Sequence, residues 1–192
     1  MAATVLGLVG RAGSGKDTIY KVISDILGPS KTVVRVAFGD AVKEELADKY
    51  GLSVEEIEEE KELYRAELQA WGTEYRRAKD EDYWIKKIKP QLDILKENAD
   101  VVVITDIRFR NEADYVKDVC KGFLVKVLSN RVKKMEHVSE TEQDSISVDW
   151  LCNNDGSVID LAVSTAYLME EMSLIDIEDG DKLELEIEES YE

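Results

Sequence analysis

The stretch Gly10-Arg11-Ala12-Gly13-Ser14-Gly15-Lys16-Asp17-Thr18 decides how this chain folds. An apolar segment, Val5 to Val9, precedes it, and an amphipathic one, Ile19 to Leu27, follows. A strand, a glycine-rich turn and a helix in that order form a phosphate-binding loop. The glycines let the backbone curl so that successive N–H groups point inward. The helix N-terminus adds partial positive charge, and Lys16 adds a full one near the terminal phosphates. Gly13, Ser14, Gly15, Lys16, Asp17 and Thr18 are therefore the candidate polyphosphate-binding residues. One position departs from the pattern, which wants Ser or Thr directly after the lysine: Asp17 stands there, and Thr18 comes one place later. A carboxylate repels a polyphosphate unless a divalent cation, water or a substrate hydroxyl intervenes, so Asp17 is assigned to a second ligand or the metal shell.

The remaining composition narrows the class. The 192 residues are 44% hydrophobic, enough for one domain with a substantial core. No apolar run approaches the ~20 residues of a membrane span. The first apolar stretch lacks a basic segment before it and runs into the glycine-rich loop, so it reads as a core strand, not a signal peptide. Cys120 and Cys152 lack metal-ligand spacing and suit a reducing, cytoplasmic setting. With one histidine, His137, a histidine-built zinc site is not expected. The net charge of −17, from 42 acidic and 25 basic residues, argues against nucleic-acid and anionic-membrane partners. Nearly half of that excess lies in Asp176 to Glu192, with nine acids and one lysine.

Five segments read as buried strands: Thr4 to Val9, Thr32 to Ala37, Asp100 to Thr105, Phe123 to Leu128 and Val148 to Cys152. Val101-Val102-Val103-Ile104 is continuously apolar, the mark of a strand covered on both faces of a parallel sheet. Helical patterns lie between them: Thr18 to Leu27, Asp40 to Tyr50, about Ser53 to Ala78, Asp82 to Asn98, Asn111 to Val119 and Ser157 to Met172. The alternation predicts an α/β fold, a five-stranded parallel sheet flanked by helices with ligands at the strands' carboxyl ends. Residues 1–175 form one domain in this reading. A helical insertion over about 38–98 stands above the sheet beside the glycine-rich loop, and a short basic lid spans about 129–147. Residues 176–192 form an acidic tail, where Leu183, Leu185 and Ile187 alternate with glutamates as in a strand or a frayed end.

Two further clusters carry chemistry. In Thr105-Asp106-Ile107-Arg108-Phe109-Arg110-Asn111-Glu112, Asp106 ends the third strand, where a carboxylate can hold Mg²⁺ through water. Arg108 follows on the same side. In Arg65…Gln69…Gly72-Thr73-Glu74-Tyr75-Arg76, helical spacing puts Arg65, Gln69 and Gly72 on one face. An arginine grips a phosphate bidentately, a glutamine amide reads a base edge, and glycine allows a flat ring to approach. Trp84 can cover that ring. In the lid, Arg131 and His137 are weaker candidates, and Asn153-Asn154-Asp155-Gly156-Ser157 reads as a turn with a helix cap.

The three elements together resemble the bacteriophage deoxynucleoside monophosphate kinases, in order over residues 4 to 172. The resemblance implies a P-loop NTPase fold of the nucleoside monophosphate kinase type. It further implies transfer of the γ-phosphoryl group of ATP to a deoxynucleoside monophosphate with Mg²⁺, in the cytoplasm of a host cell, and a homodimer. Gly13 to Thr18 would hold ATP; Lys16, Arg108 and Asp106 would act in catalysis, with Thr18 and Asp106 at the metal. Asp17, Arg65, Gln69, Gly72, Thr73, Trp84, Asp106, Arg108 and Glu112 would line the acceptor site. Arg110 departs from the family, where proline is common. Two other readings remain open: a P-loop kinase with a hydroxyl acceptor (dephospho-coenzyme A or a nucleoside), for which Asp17 would be the general base, or a nucleotide-binding module without turnover. Arg65, Arg76 and Arg108 favour a phosphate acceptor.

Overall fold

The computed structural model describes residues 3–28, 30–132, 137–178 and 180–191. Its five strands are β1 (Thr4–Val9), β2 (Val33–Val36), β3 (Val101–Ile107), β4 (Phe123–Leu128) and β5 (Trp150–Asn153). They form one parallel sheet in the order β2-β3-β1-β4-β5. The apolar run of β3 divides between two cores: Val102 and Ile104 face one side, Val101 and Val103 the other. β1 does the same with Val5 and Val9 against Leu6 and Leu8. Strands sandwiched between helical layers have no solvated face, which is why these segments lack polar alternation.

On one face lie α1 (Lys16–Leu27) and α8 (Val158–Glu171), with Ile19, Val22 and Ile23 meeting Leu161, Ala166 and Met169. The other face is covered by α2 (Phe38–Tyr50) and α5 (Tyr83–Asn98) through Phe38, Ala41, Ile88 and Leu92. Between these two helices run α3 (Val54–Glu59), α4 (Lys61–Gln69) and a wide π-helical segment, Ala70–Arg77. They build a satellite core on α2 from Leu46, Ala47 and Ile57. Thus only residues 54–77 of the sixty-residue stretch stand away from the sheet.

Four elements differ from the sequence reading. The expected helix from Ser53 to Ala78 is broken at Glu60, the last of five acids in six residues, whose φ of −105° and ψ of 28° leave the helical region. It then widens where the Gly72 carbonyl accepts a hydrogen bond at 2.9 Å from the Trp84 indole. The expected helix Asn111–Val119 is likewise short, α6 (Arg110–Asp114), and continues as a π turn, Tyr115–Val119. The last strand begins at Trp150, because the Asp149 carboxylate turns back to accept from Leu124 N at 2.8 Å. Finally, the segment read as a strand or frayed end is a helix, α9 (Gly180–Tyr191). Leu183, Ile187 and Tyr191 recur at spacing four, and Ile187, 4% exposed, packs against the α1–α8 core.

After β4, α7 (Val138–Thr141) and a 3₁₀ turn, Glu142–Ser145, lie against the loop after β1. The lid residues Lys133, Lys134, Met135 and Glu136 lie outside the described residues.

Candidate functional site

The carboxyl ends of β1, β2 and β3 open into a cavity of about 360 Å³. Ala12, Gly13, Lys16 and Asp17 line one end of it. The loop owes its shape to three glycines at positive φ, Gly10, Gly13 and Gly15. Gly15 is the most constrained: a Cβ there would sit 2.1 Å from Asn154 Nδ2. That amide donates to Ser14 O at 2.9 Å, so the turn after β5 props the loop from behind. Lys16 is buried and folded back, its ammonium donating to Gly10 O at 2.6 Å and Arg11 O at 2.8 Å. Burial, followed by the nearby Arg108 guanidinium, pulls its pKa down to about 8.

The opposite wall comes from α2, α4 and the π turn, with Arg65, Gln69, Gly72 and Thr73 lining it and Trp84 beneath. Trp84 is 2% exposed and its N–H is engaged, so it acts as a floor that fixes Gly72. A Cβ on Gly72 would make only ordinary contact with Val42 at 3.6 Å, so the protein's own packing does not demand glycine there. Arg65 pairs with Glu62. Arg76 turns away from the cavity, held by Glu45 at 2.7 Å and stacked on Trp71 and Tyr83. Arg77 faces the cavity instead, over the Phe109 ring and 2.9 Å from Asn111 Oδ1. The widened helix changes the angular step per residue, and with it which of the two arginines points inward.

Asp106 and Arg108 sit at the tip of β3. The Asp106 carboxylate accepts from Phe38 N at 2.8 Å and Gly39 N at 2.7 Å, so it caps α2, whose own N-cap is the side-chain-poor Ala37. Glu112 is fully buried and accepts from Arg108 N at 2.9 Å and Phe109 N at 3.1 Å. Burial, with Asp106 adding to it, raises its pKa to about 7 against these hydrogen bonds. The Arg108 guanidinium pairs with Glu140 of α7.

All the expected acceptor-site residues line this one cavity, and so do Gly13, Lys16 and Asp17. Ser14 and Gly15 form the back of the loop; Thr18 is half-buried and does not line the cavity. Arg131 bonds the turn after β5 at Asn154 and Gly156, and His137 bridges Ser139 Oγ at 2.7 Å and Glu74 Oε1 at 2.8 Å. Sequence reasoning missed Arg35, Lys43, Lys61 and Arg77, which bring the lining to seven cations against five carboxylates. In a chain of net charge −17, a locally cationic cavity selects polyanionic ligands. Arg35 was legible as the one charge at the carboxyl end of a valine-rich strand, where α/β sheets bind ligands.

The fit of Mg²⁺ can be judged from the donors. Among the described residues no cluster of three or more His, Cys, Asp or Glu is placed to hold a metal. Thr105 Oγ1, buried beside Asp106 and lining the cavity, lacks a hydrogen-bond partner. Few protein ligands plus an unsatisfied hydroxyl suit a hydrated ion carried in on phosphates.

Residues 8–122 match the family model for phosphomevalonate kinase. A protein of Acanthamoeba polyphaga mimivirus, provisionally named a deoxynucleotide monophosphate kinase, is 32% identical over 170 residues, covering 74% of this chain and 83% of that protein. Shikimate kinase from Aquifex aeolicus superposes over 89% of this chain and 99% of its own with a TM-score of 0.51, at 18% identity, a likeness of fold alone. No helix among the described residues is long and apolar enough to cross a membrane. On the family model, which spans more than half of it, the chain belongs to the phosphomevalonate kinase family, and the mimivirus relative likewise supports a P-loop kinase.

Proposed function

We propose that this P-loop kinase transfers the γ-phosphoryl group of ATP to the phosphate of a deoxynucleoside monophosphate, giving the diphosphate and ADP. The observation that carries the reading is the cavity itself. A phosphate-binding loop forms one end, and Arg65, Arg77 and Arg108 line the remainder with the Gln69 amide and Gly72. Two polyanions brought together repel each other, and cationic walls offset that repulsion. The mimivirus relative's name supports the same acceptor.

The chemistry asks the protein for alignment and charge, with little covalent work. Lys16 exchanges its bonds to Gly10 O and Arg11 O for the β- and γ-phosphates. Arg65 and Arg77 hold the acceptor phosphate, and Gln69 reads the base over the Trp84 floor. Arg108 lies between the two ends and screens the transferring group. An acceptor phosphate oxygen bonds to the γ-phosphorus as the bond to the β–γ bridging oxygen breaks, and ADP leaves. Mg²⁺, bound through the phosphates near Asp17, Thr105 and Asp106, would neutralise charge on the transferring group. No general base is needed for a phosphate acceptor, which leaves Asp17, 3.6 Å from Arg35, to the acceptor or the metal shell.

The family model favours a second acceptor, phosphomevalonate, which presents the same phosphomonoester on a short, branched hydroxy-acid chain. A coupled assay for ADP tests both, with ATP, Mg²⁺ and dTMP, dGMP, dCMP, dAMP or phosphomevalonate, and with dephospho-coenzyme A and a nucleoside as hydroxyl acceptors. ADP release that depends on a deoxynucleoside monophosphate is expected. Turnover with a hydroxyl acceptor alone would overturn the reading and make Asp17 a general base.

A further inference from the structure

Glu140 is a buried carboxylate that the phosphoryl-transfer chemistry does not use. It lies on α7 and is 2% exposed, although it stands at the mouth of a site built for anions. Its Oε2 accepts from Ala12 N, in the phosphate-binding loop, at 3.2 Å. Its Oε1 takes the Arg108 guanidinium, which also reaches Ser139 O at 3.4 Å. Gln143, fully buried, donates to Glu140 O at 3.0 Å and pins the residue in place. Arg11 pairs with Asp144 at 2.6 Å, a second tie between the loop and the same segment.

A carboxylate here is unfavourable for binding a polyphosphate, because like charges at such a distance repel. What it does for Arg108 is favourable. An arginine side chain has many rotamers, and a charge that must meet the transferring phosphoryl group loses effect if it wanders. Arg108 is fixed at both ends by different carboxylates: Glu112 holds its backbone amide, and Glu140 holds its guanidinium. We propose that Glu140 is a positioning residue, which aims Arg108 at the transferring phosphoryl group and ties that arginine to the rim of the phosphate-binding loop. This inference rests on the phosphoryl-transfer reading above, whichever phosphate-bearing acceptor proves correct.

The test is Glu140→Gln in the full chain, a change that keeps shape and removes charge. Two effects of opposite sign are expected. Turnover at saturating substrate falls at least about tenfold, because the charged anchor of Arg108 is gone. The Kd of MgATP without acceptor, read by calorimetry, tightens about threefold, because a negative charge has left the loop. Arg108→Ala combined with Glu140→Gln is no slower than Arg108→Ala alone, since the two act as one unit. Turnover within twofold of the parent overturns the proposal, and so does additivity in the double variant. A loss of turnover and of MgATP affinity together, with a lowered Tm, would make Glu140 merely structural and overturns it too. If the parent turns over no acceptor, the substrate reading fails separately. The affinity arm then decides: an unchanged or weakened Kd overturns the proposal.

Discussion

Asp106→Asn separates the two duties that meet at the tip of β3. The aspartate accepts from two successive amides at the start of α2, at 2.8 and 2.7 Å, where Ala37 offers no capping side chain. An asparagine presents one carbonyl oxygen, so its NH₂ group must face the other N–H at a distance where two donors repel. One charge-assisted hydrogen bond is lost, about 1.5–3 kcal/mol. The favourable interaction of a carboxylate with the helix N-terminus goes as well, about 0.3–1 kcal/mol. The sum is about 3 kcal/mol, which in a chain of this size lowers Tm by about 6–12 °C. Calorimetric unfolding of parent and variant without nucleotide measures this directly. A Tm within about 2 °C of the parent would refute the cap, and would leave Asp106 free to serve a metal with both oxygens.

Three other outcomes follow from the same geometry. Lys16 is held at about pKa 8 by burial and Arg108, and it binds phosphate only as the ammonium; kcat/KM therefore falls as pH rises through about 8, and a profile flat to pH 9.5 contradicts this. Gly15→Ala strains the loop at φ +103° and displaces the Asn154 amide that props it, so MgATP affinity should drop at least about tenfold by calorimetry. An unchanged Kd would show that the prop behind the loop is dispensable. Glu45→Ala removes the acceptor shared by Trp71, Arg76 and Tyr83, at about 2–4 kcal/mol in urea unfolding, and should raise the acceptor KM by loosening the π turn. No change in unfolding midpoint would refute that.

The parallel sheet and its loop were legible because their signals are local. Val101 to Ile104 must be covered on both faces, and the glycines at 10, 13 and 15 serve a turn that few other residues can make. Asp17, Arg65, Gln69, Gly72, Asp106 and Arg108 were legible in the same way, as motifs at strand ends and on one helix face. What stayed hidden depends on tertiary contacts. Whether Arg76 or Arg77 faces the cavity is set by a helix that widens where Trp84 takes the Gly72 carbonyl, twelve residues away. Glu140 was not singled out within the segment read as a lid, because its partners, Ala12 and Arg108, are 128 and 32 residues distant. The acidic end reads as a strand or a frayed end by its alternation, and its spacing-four face becomes decisive only against the α1–α8 core. Lys43 and Lys61 reach the cavity only once α2 and α4 are folded against one another.

In the proposed reaction the acceptor is a phosphate and not a hydroxyl. The most direct measurement is ³¹P NMR of the reaction of the full chain with ATP, Mg²⁺ and a deoxynucleoside monophosphate. A new phosphoanhydride is expected, the paired α and β signals of a deoxynucleoside diphosphate growing in step with those of ADP. A new phosphate ester signal, with the original monophosphate left unextended, would contradict it.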